Sequence, residues 1–303
     1  MEYDKNTVTT QIINIFRRVL SLPFILFLAT IFSTAMTGAF YQYKGSLLSV
    51  NAFIKGLNYS FALLVILGSH ELGHYLYARK NGLQATLPYF LPFIFPFGTL
   101  GAFIRIRSPI PDKKALFDVG IAGPIAGFIM SVVFLLVGFI NLPDKEGLIR
   151  FITQLHPWSE TGEGAFTLGN SLLFNFLRNA SGCTHLPMYE VYHFPYIFAG
   201  WIGLLVTSLN LMPIGQLDGG HISYALLGSK AKGIAIAAFI LLALLNFYST
   251  NWWLWTLLVF FVIRLKHPPT LNDETEINTA RKVLGWISYF IFIISFSPNP
   301  MHM

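Results

Sequence analysis

Residues 63–79 read LLVILGSHELGHYLYAR, an apolar run that contains His70, Glu71 and His74. On a helix, His70 and His74 stand on one face about one turn apart, so both imidazoles can reach a single Zn²⁺. Glu71 lies about 100° round from His70 and can act on metal-bound water without ligating. Ionisable side chains inside hydrocarbon cost several kcal/mol unless they are paired or ligating, so the run indicates a functional site. The alternative is a polar cluster that packs helices together.

The composition favours a multi-spanning membrane protein in contact with the lipid bilayer. Of the 303 residues, 54% are hydrophobic and only 11% are charged, whereas about a quarter of the residues in a soluble domain are charged. The net charge of +6 comes from short basic clusters between apolar runs, which excludes a nucleic-acid binder. The single cysteine, Cys183, excludes an internal disulfide framework and an iron–sulfur cluster.

Apolar segments long enough to span a bilayer, at about 20 residues each, predict an all-α polytopic membrane protein with about six or seven transmembrane helices. The candidate spans are residues 20–40, 57–78, 117–140, 195–212, 233–248, 252–265 and 283–297. Basic and apolar residues at helical spacing before them predict a cytoplasmic, interfacial N-terminus at residues 1–19. Residues 20–56 are then a first span and loop, and residues 229–303 hold additional C-terminal spans.

Residues 83–107 are apolar but do not fit a simple span. Pro88, Pro92 and Pro96 recur every fourth residue, and two glycines follow. Prolines at this density remove too many backbone donors for a lipid-exposed helix. The pattern predicts a membrane-inserted re-entrant or β-hairpin element that is buried against other helices.

The distribution of basic residues predicts the orientation, because cytoplasmic segments carry an excess of Lys and Arg. With the N-terminus inside, fifteen of the 20 Lys and Arg residues fall on the inner side of the predicted spans and five on the outer side. We therefore expect a cell-membrane protein whose N-terminus and metal site face the cytoplasm. Residues 141–194 form an extracytoplasmic loop in this layout.

A catalytic zinc site needs a third protein ligand and keeps a further position for water. Of the 14 Asp and Glu residues, only Glu71, Asp118 and Asp218 lie in or beside apolar segments. Asp118 sits at the mouth of a span, where a solvated or paired carboxylate is expected. Asp218 lies in NLMPIGQLDGG (residues 210–220), where Pro213 breaks a helix and frees backbone groups that only a buried polar site could satisfy. We predict Asp218 as the third ligand; the alternative is an ordinary loop aspartate.

Two neighbouring features allow more than one interpretation. Gly120, Gly123 and Gly127 in GIAGPIAGF favour a close helix contact over a nucleotide-binding loop, because no strand precedes them. His221 follows the Asp-Gly-Gly sequence and either supports the metal ligands or is an ordinary loop or helix-terminal histidine.

In combination, these motifs resemble the site-2 protease family of intramembrane zinc metalloproteases. The resemblance covers a catalytic membrane core of residues 57–228 and rests on HELGH, on Gly-Pro in the third span and on NLMPIGQLDGG. It implies that His70, His74 and Asp218 are zinc ligands. Glu71 is then the catalytic acid/base, and Asn210 positions the substrate or its oxyanion.

The resemblance also implies a substrate class and a reaction. The substrates are membrane proteins with a single transmembrane helix, hydrolysed in or near that helix in regulated intramembrane proteolysis, and the 83–107 element pairs with the unwound substrate. No PDZ-like domain is expected, because residues 141–194 are too few.

Two other functions are open. A polytopic metal-ion transporter would need further His or carboxylate groups along its path, and the remaining spans offer almost none. A catalytically silent, protease-like scaffold is disfavoured by the intact Glu71.

Overall fold

The computed structural model describes residues 21–42, 49–94, 96–155, 167–263 and 265–302. The predicted interfacial N-terminus at residues 1–19 lies outside them. Ten α-helices occur in the described residues: α1 Leu22–Gln42, α2 Val50–Lys80, α3 Lys113–Ile140, α4 Lys145–Leu155, α5 Leu172–Ala180, α6 Pro195–Asn210, α7 Asp218–Leu227, α8 Ala231–Leu245, α9 Trp252–Leu258 and α10 Thr279–Ser295. The strands are β1 Tyr89–Pro92, β2 Thr99–Phe103, β3 Thr167–Leu168 and β4 Met301–His302.

Four described helical segments are long and apolar enough to cross a membrane, namely α1, α2, α3 and Asp218–Leu245, which joins α7 to α8. The predicted spans at 195–212 and 252–265 form shorter apolar helices, Pro195–Asn210 and Trp252–Phe261. The segment predicted at 283–297 lies in α10, which has 17 residues. The mostly helical, membrane-type architecture is thus confirmed. Tight turns inside the apolar runs make several helices shorter than the runs themselves.

Helices α1 and α2 approach each other through small residues. A Cβ atom placed on Gly56 would lie 1.9 Å from the carbonyl oxygen of Ala35, and one placed on Gly38 would lie 2.8 Å from the carbonyl oxygen of Gly56. The hydroxyl groups of Thr34 and Ser60 meet across the same interface at 2.7 Å. Small side chains let apolar helices pack backbone to backbone, which fixes the spacing of this pair.

The proline-rich element forms a β-hairpin, in which β1 and β2 pair antiparallel. Side-chain hydroxyl groups of the neighbouring helices hold its turn. Ser33 on α1 donates to the carbonyl of Gly98 at 2.7 Å, and Tyr59 on α2 donates to the carbonyl of Phe97 at 2.8 Å. These bonds satisfy backbone groups that cannot join a helix, so the predicted hairpin is stabilised by α1 and α2.

The C-terminal helix α10 is tied to the centre of the fold by polar contacts. Arg281 makes a bidentate ion pair with Asp118 on α3, with both N–O distances at 2.7 Å. The hydroxyl groups of Tyr289 and Ser223 lie 2.6 Å apart, which joins α10 to α7. The paired carboxylate expected at Asp118 is therefore confirmed, and its partner comes from 163 residues further along the chain.

The described parts of residues 141–194 fold onto the helices on either side of them. The ring of His193 donates from Nδ1 to the carbonyl of Tyr41 at the end of α1. The indole of Trp201 on α6 donates to the carbonyl of Gly169 at 2.7 Å. The side chain of Phe174 on α5 is fully buried and belongs to the same hydrophobic core as residues of α2, α3 and α6.

We predict that Gly56→Ala destabilises the protein by about 1–3 kcal/mol, because the added methyl group would force α1 away from α2. The free energy of unfolding of the purified protein in detergent would measure this. Gly233→Ala on α8 is the matched control, since its Cβ would meet no atom within 4 Å. Equal stabilities of the two variants would contradict the proposed contact.

Candidate metal centre

Helix α2 places the side chains of the HELGH motif inside the bundle. His70, Glu71 and His74 are all buried, although they follow an apolar run of more than two helical turns. Leu72, which points to another side of the helix, is exposed. The i, i+4 spacing therefore directs both imidazoles to one buried face, as the sequence predicts.

A sharp reversal between α6 and α7 brings Asp218 to the same place. Asn210 is the last residue of α6 and Asp218 is the first of α7. A Cβ on Gly219 would lie 2.0 Å from the carbonyl oxygen of Leu211, and one on Gly220 would lie 2.2 Å from that of Gly215. Only glycine fits such backbone contacts, and they set the start of α7 against α6.

The three predicted ligands converge. The Nε2 atoms of His70 and His74 lie 3.0 Å apart, and a carboxylate oxygen of Asp218 lies 3.4 and 3.3 Å from them. The three donor atoms, one from each residue, all lie within 4.8 Å of one another. In the described part of the chain, this is the one group of three His, Cys, Asp or Glu residues with that geometry.

The surroundings of His74 prepare it as a ligand. Its Nδ1–H donates to the carbonyl of Val119 on α3 at 2.8 Å, so the lone pair of the neutral ring is on Nε2, which faces His70 and Asp218. Two imidazole nitrogens and one carboxylate oxygen are a donor set typical of catalytic zinc sites and related divalent metals. The residues present therefore fit a metal.

Glu71 and Asn210 share the cavity of the three ligands, which has a volume of about 280 Å³. The amide nitrogen of Asn210 lies 3.1 Å from Nε2 of His70. The backbone N–H of Ile104, just after β2, interacts with the Glu71 carboxylate. One wall of the cavity is formed by the end of the hairpin, residues 102–104. A carboxylate, an amide and a strand end thus surround the place where the ligands meet.

Glycines of α3 form the floor beneath both imidazoles. A Cβ on Gly123 would lie 2.1 Å from Nε2 of His74, and a Cβ on Gly127 would lie 3.1 Å from Nδ1 of His70. The close helix contact predicted for these glycines is therefore present, and the rings of α2 lie directly on α3. The sequence shows the spacing of the glycines but not that histidines face them.

All five predicted site residues come together, and the alternative carboxylate, Asp118, lies in its ion pair with Arg281. Sequence reasoning missed the carbonyl of Val119, because a backbone partner has no sequence signature. It also left the role of His221 open, and this side chain lines the same cavity.

Comparison with known proteins agrees with this geometry. The family model described as Peptidase family M50 matches residues 58–247, which include every residue of the site. The chain belongs to peptidase family M50. The resemblance to site-2 proteases is thereby confirmed. No solved structure matches the chain significantly.

Several curated relatives of this M50 protein come from plants. The chain is 30% identical over 244 residues to "Probable zinc metalloprotease EGY1, chloroplastic" of Oryza sativa subsp. japonica, covering 79% of this chain and 40% of the relative. It is 31% identical over 241 residues to the protein of the same name from Arabidopsis thaliana, covering 79% and 42%. It is 32% identical over 245 residues to "Probable zinc metalloprotease EGY2, chloroplastic" of Oryza sativa subsp. indica, covering 78% and 43%. The chain thus spans about two fifths of each relative.

We predict that Gly123→Ala lowers the affinity for a divalent metal by about tenfold to a hundredfold, because the new methyl group displaces the ring of His74. Titration of metal-stripped protein with Co²⁺, followed by absorbance, would measure the affinity, and thermal unfolding would verify the fold. Gly127→Ala should lose less, since its neighbour has to move only slightly. If Gly123→Ala binds Co²⁺ as tightly as the wild type, the floor does not orient His74.

Proposed function

We propose that this M50 protein is an intramembrane zinc metalloprotease that hydrolyses peptide bonds in or near transmembrane segments of other membrane proteins. The observation that supports this most strongly is the convergence of two imidazoles and a carboxylate beside Glu71, inside apolar helices. The names of the relatives, which are probable zinc metalloproteases, agree with it.

His70, His74 and Asp218 would hold the zinc ion. When bound, Zn²⁺ supplies a Lewis acid that lowers the pKa of its water from about 15.7 towards about 7 and polarises the peptide carbonyl. The glycines of α3 lie against both imidazoles and Val119 bonds the ring of His74, so the two histidines need little ordering when the ion enters.

Glu71 moves the proton in this proposal. Its carboxylate accepts a proton from the attacking water, whose oxygen bonds to the peptide carbonyl carbon. The same proton then passes to the leaving nitrogen as the C–N bond breaks, which yields a carboxylic acid and an amine. The amide N–H of Asn210 donates to the oxygen of the attacked carbonyl, where negative charge develops.

The substrate must be unwound before it reacts, because every carbonyl inside a helix is bonded to its own amides. The hairpin offers a partner for an extended segment, since β1 faces α1 while residues 102–104 at the end of β2 line the site cavity. Addition of a strand to β2 would satisfy the freed backbone groups of a single-span membrane protein. We place this hairpin within the membrane for that reason.

The distribution of basic residues supports an orientation with the site towards the inner, cytoplasmic side of a cell membrane. Water would enter from that side. We also propose that the shorter apolar helices α6 and α9 are embedded in the membrane, in addition to the four long helical segments.

A metal-ion transporter is the less favoured function. Ions in transit need successive ligand groups across the membrane, and the described residues contain one such group of three. A silent scaffold is disfavoured because Glu71 is retained and lies in the cavity with the ligands.

We predict that Glu71→Gln abolishes cleavage of a transmembrane substrate in detergent, with a fall in kcat of about a hundredfold to ten-thousandfold, because proton transfer is lost. Zinc content should be unchanged. Glu276→Gln is the matched control, since this side chain is exposed and outside the cavity. Wild-type cleavage rates in Glu71→Gln would refute the role given to Glu71.

We further predict that Asp218→Ala lowers zinc affinity at least about tenfold, because the third ligand is lost and only two imidazoles would hold the ion. Elemental analysis of protein dialysed against a weak chelator would measure this. Asp118→Ala is the matched control and should keep its zinc while losing some stability. Full zinc occupancy in Asp218→Ala would show that another group is the third ligand.

A further inference from the structure

His221 lies on the same floor as the predicted ligands. It follows Asp218 by three residues on α7, and a Cβ on Gly120 of α3 would lie 3.0 Å from the Cβ of His221. Its ring lines the cavity that contains His70 and His74. It is not among the three residues whose donor atoms lie within 4.8 Å of one another, so it enters the cavity without joining the ligand set.

A chain of hydrogen bonds determines which nitrogen of His221 carries the proton. Nδ1 of His267 bonds to the carbonyl of Pro268, and a carbonyl only accepts, so this Nδ1 is protonated. Burial lowers the pKa of His267, which keeps the ring neutral at pH 7 and leaves a lone pair on Nε2. Nδ1 of His221 lies 2.6 Å from this Nε2 atom and must therefore donate a hydrogen bond to it.

In the neutral ring of His221, the second nitrogen, Nε2, then carries a lone pair. Nε2 makes no hydrogen bond to any residue of the described chain. It is not fully enclosed by protein atoms either. It is thus an accessible acceptor on a residue that lines the metal cavity.

His267, which determines the tautomer of His221, is itself held in place by its neighbours. The ring of His267 stacks on Tyr224 with centroids 4.4 Å apart, and the hydroxyl of Tyr224 donates to Asp273 at 2.6 Å. The backbone N–H of Asn272 donates to the carbonyl of Pro111, just before α3, at 2.9 Å. The segment that carries His267 is therefore attached to both α7 and the start of α3.

We propose that His221 is a further catalytic residue, whose Nε2 accepts a hydrogen bond from a backbone N–H of the bound peptide, and that His267 is the positioning residue that fixes its tautomer. An unwound substrate brings N–H groups away from bulk water into a cavity within the helix bundle, where each needs an acceptor. The inference rests on the proposed function, because it gives His221 a contact with the substrate.

The position of the acceptor gives a matched pair of variants. In His221→Gln the side-chain oxygen can take the place of Nε2, whereas in His221→Asn the amide reaches only the position of Nδ1. We expect kcat/KM for a transmembrane substrate to be at least about tenfold lower in His221→Asn than in His221→Gln, the effect of one lost hydrogen bond to a buried N–H. His185→Gln, in the 141–194 region, is the control and should match the wild type. Equal rates in the two His221 variants would overturn the proposal.

His267 is tested in the same way. His267→Gln keeps an acceptor towards His221 and should retain more activity than His267→Lys, which can only donate and would reverse the tautomer. The tautomer can be read without activity from the imidazole ¹⁵N shifts of histidine-labelled protein, with His221 assigned by its loss in His221→Gln. We expect an Nδ1–H ring in the wild type and an Nε2–H ring in His267→Lys. An Nε2–H ring in the wild type would overturn the assignment.

Two further outcomes are distinguishable. A second zinc ion per chain that is lost in His267→Gln would make the histidine pair a metal site and overturn the proposal. If neither the wild type nor Glu71→Gln cleaves any transmembrane substrate, the proposed function fails, while the ¹⁵N shifts still decide whether His267 orients His221.

Discussion

The cost of burying polar side chains among apolar helices is the constraint on which the rest of this structure depends. Two histidines and a glutamate are buried among predominantly apolar helices, and a partly buried aspartate joins them. Such groups persist only where every nitrogen and oxygen has a partner or a ligand. The carbonyl of Val119, the amide of Asn210 and the reversal after α6 all serve this requirement. The geometry of the site follows from the need to satisfy it.

Glycine is the means by which the fold meets that requirement. A side chain on α3 beneath either imidazole would collide with the ring or crowd it. Glycine at these positions lets the rings of α2 lie directly on the backbone of α3. The same device sets the α1–α2 spacing and the turn into α7. The rigidity of the site therefore comes from backbone surfaces, which have no rotamers to lose when a ligand binds.

The cluster of His70, His74 and Asp218 was predictable because it combines a short helical motif with a scarcity of acids. The spacing of His70 and His74 fixes one face of α2, and few carboxylates lie near any apolar run, so Asp218 could be selected. The hairpin was predictable because proline excludes a helix. In each case, a local rule with strong energetic consequences was sufficient.

Other features depend on distant parts of the chain and could not be predicted. Helix lengths in the second half are set by turns within the apolar runs, and hydropathy does not show where these turns fall. The partner of His221 lies 46 residues away in a loop with no motif. The imidazoles above the α3 glycines were equally hidden, because spacing within one helix says nothing about which residues a second helix presents to it.

The ion pair between Asp118 and Arg281 connects the family-matched region to the C-terminal helix. The family match stops at residue 247, yet Arg281 neutralises a carboxylate at the start of the helix that forms the floor, and Tyr289 contacts α7 beside the metal cavity. A carboxylate left without this partner would remain partly buried and uncompensated. A fragment trimmed to residues 58–247 would therefore lose the ionic partner of α3 and a hydrogen-bond partner of α7.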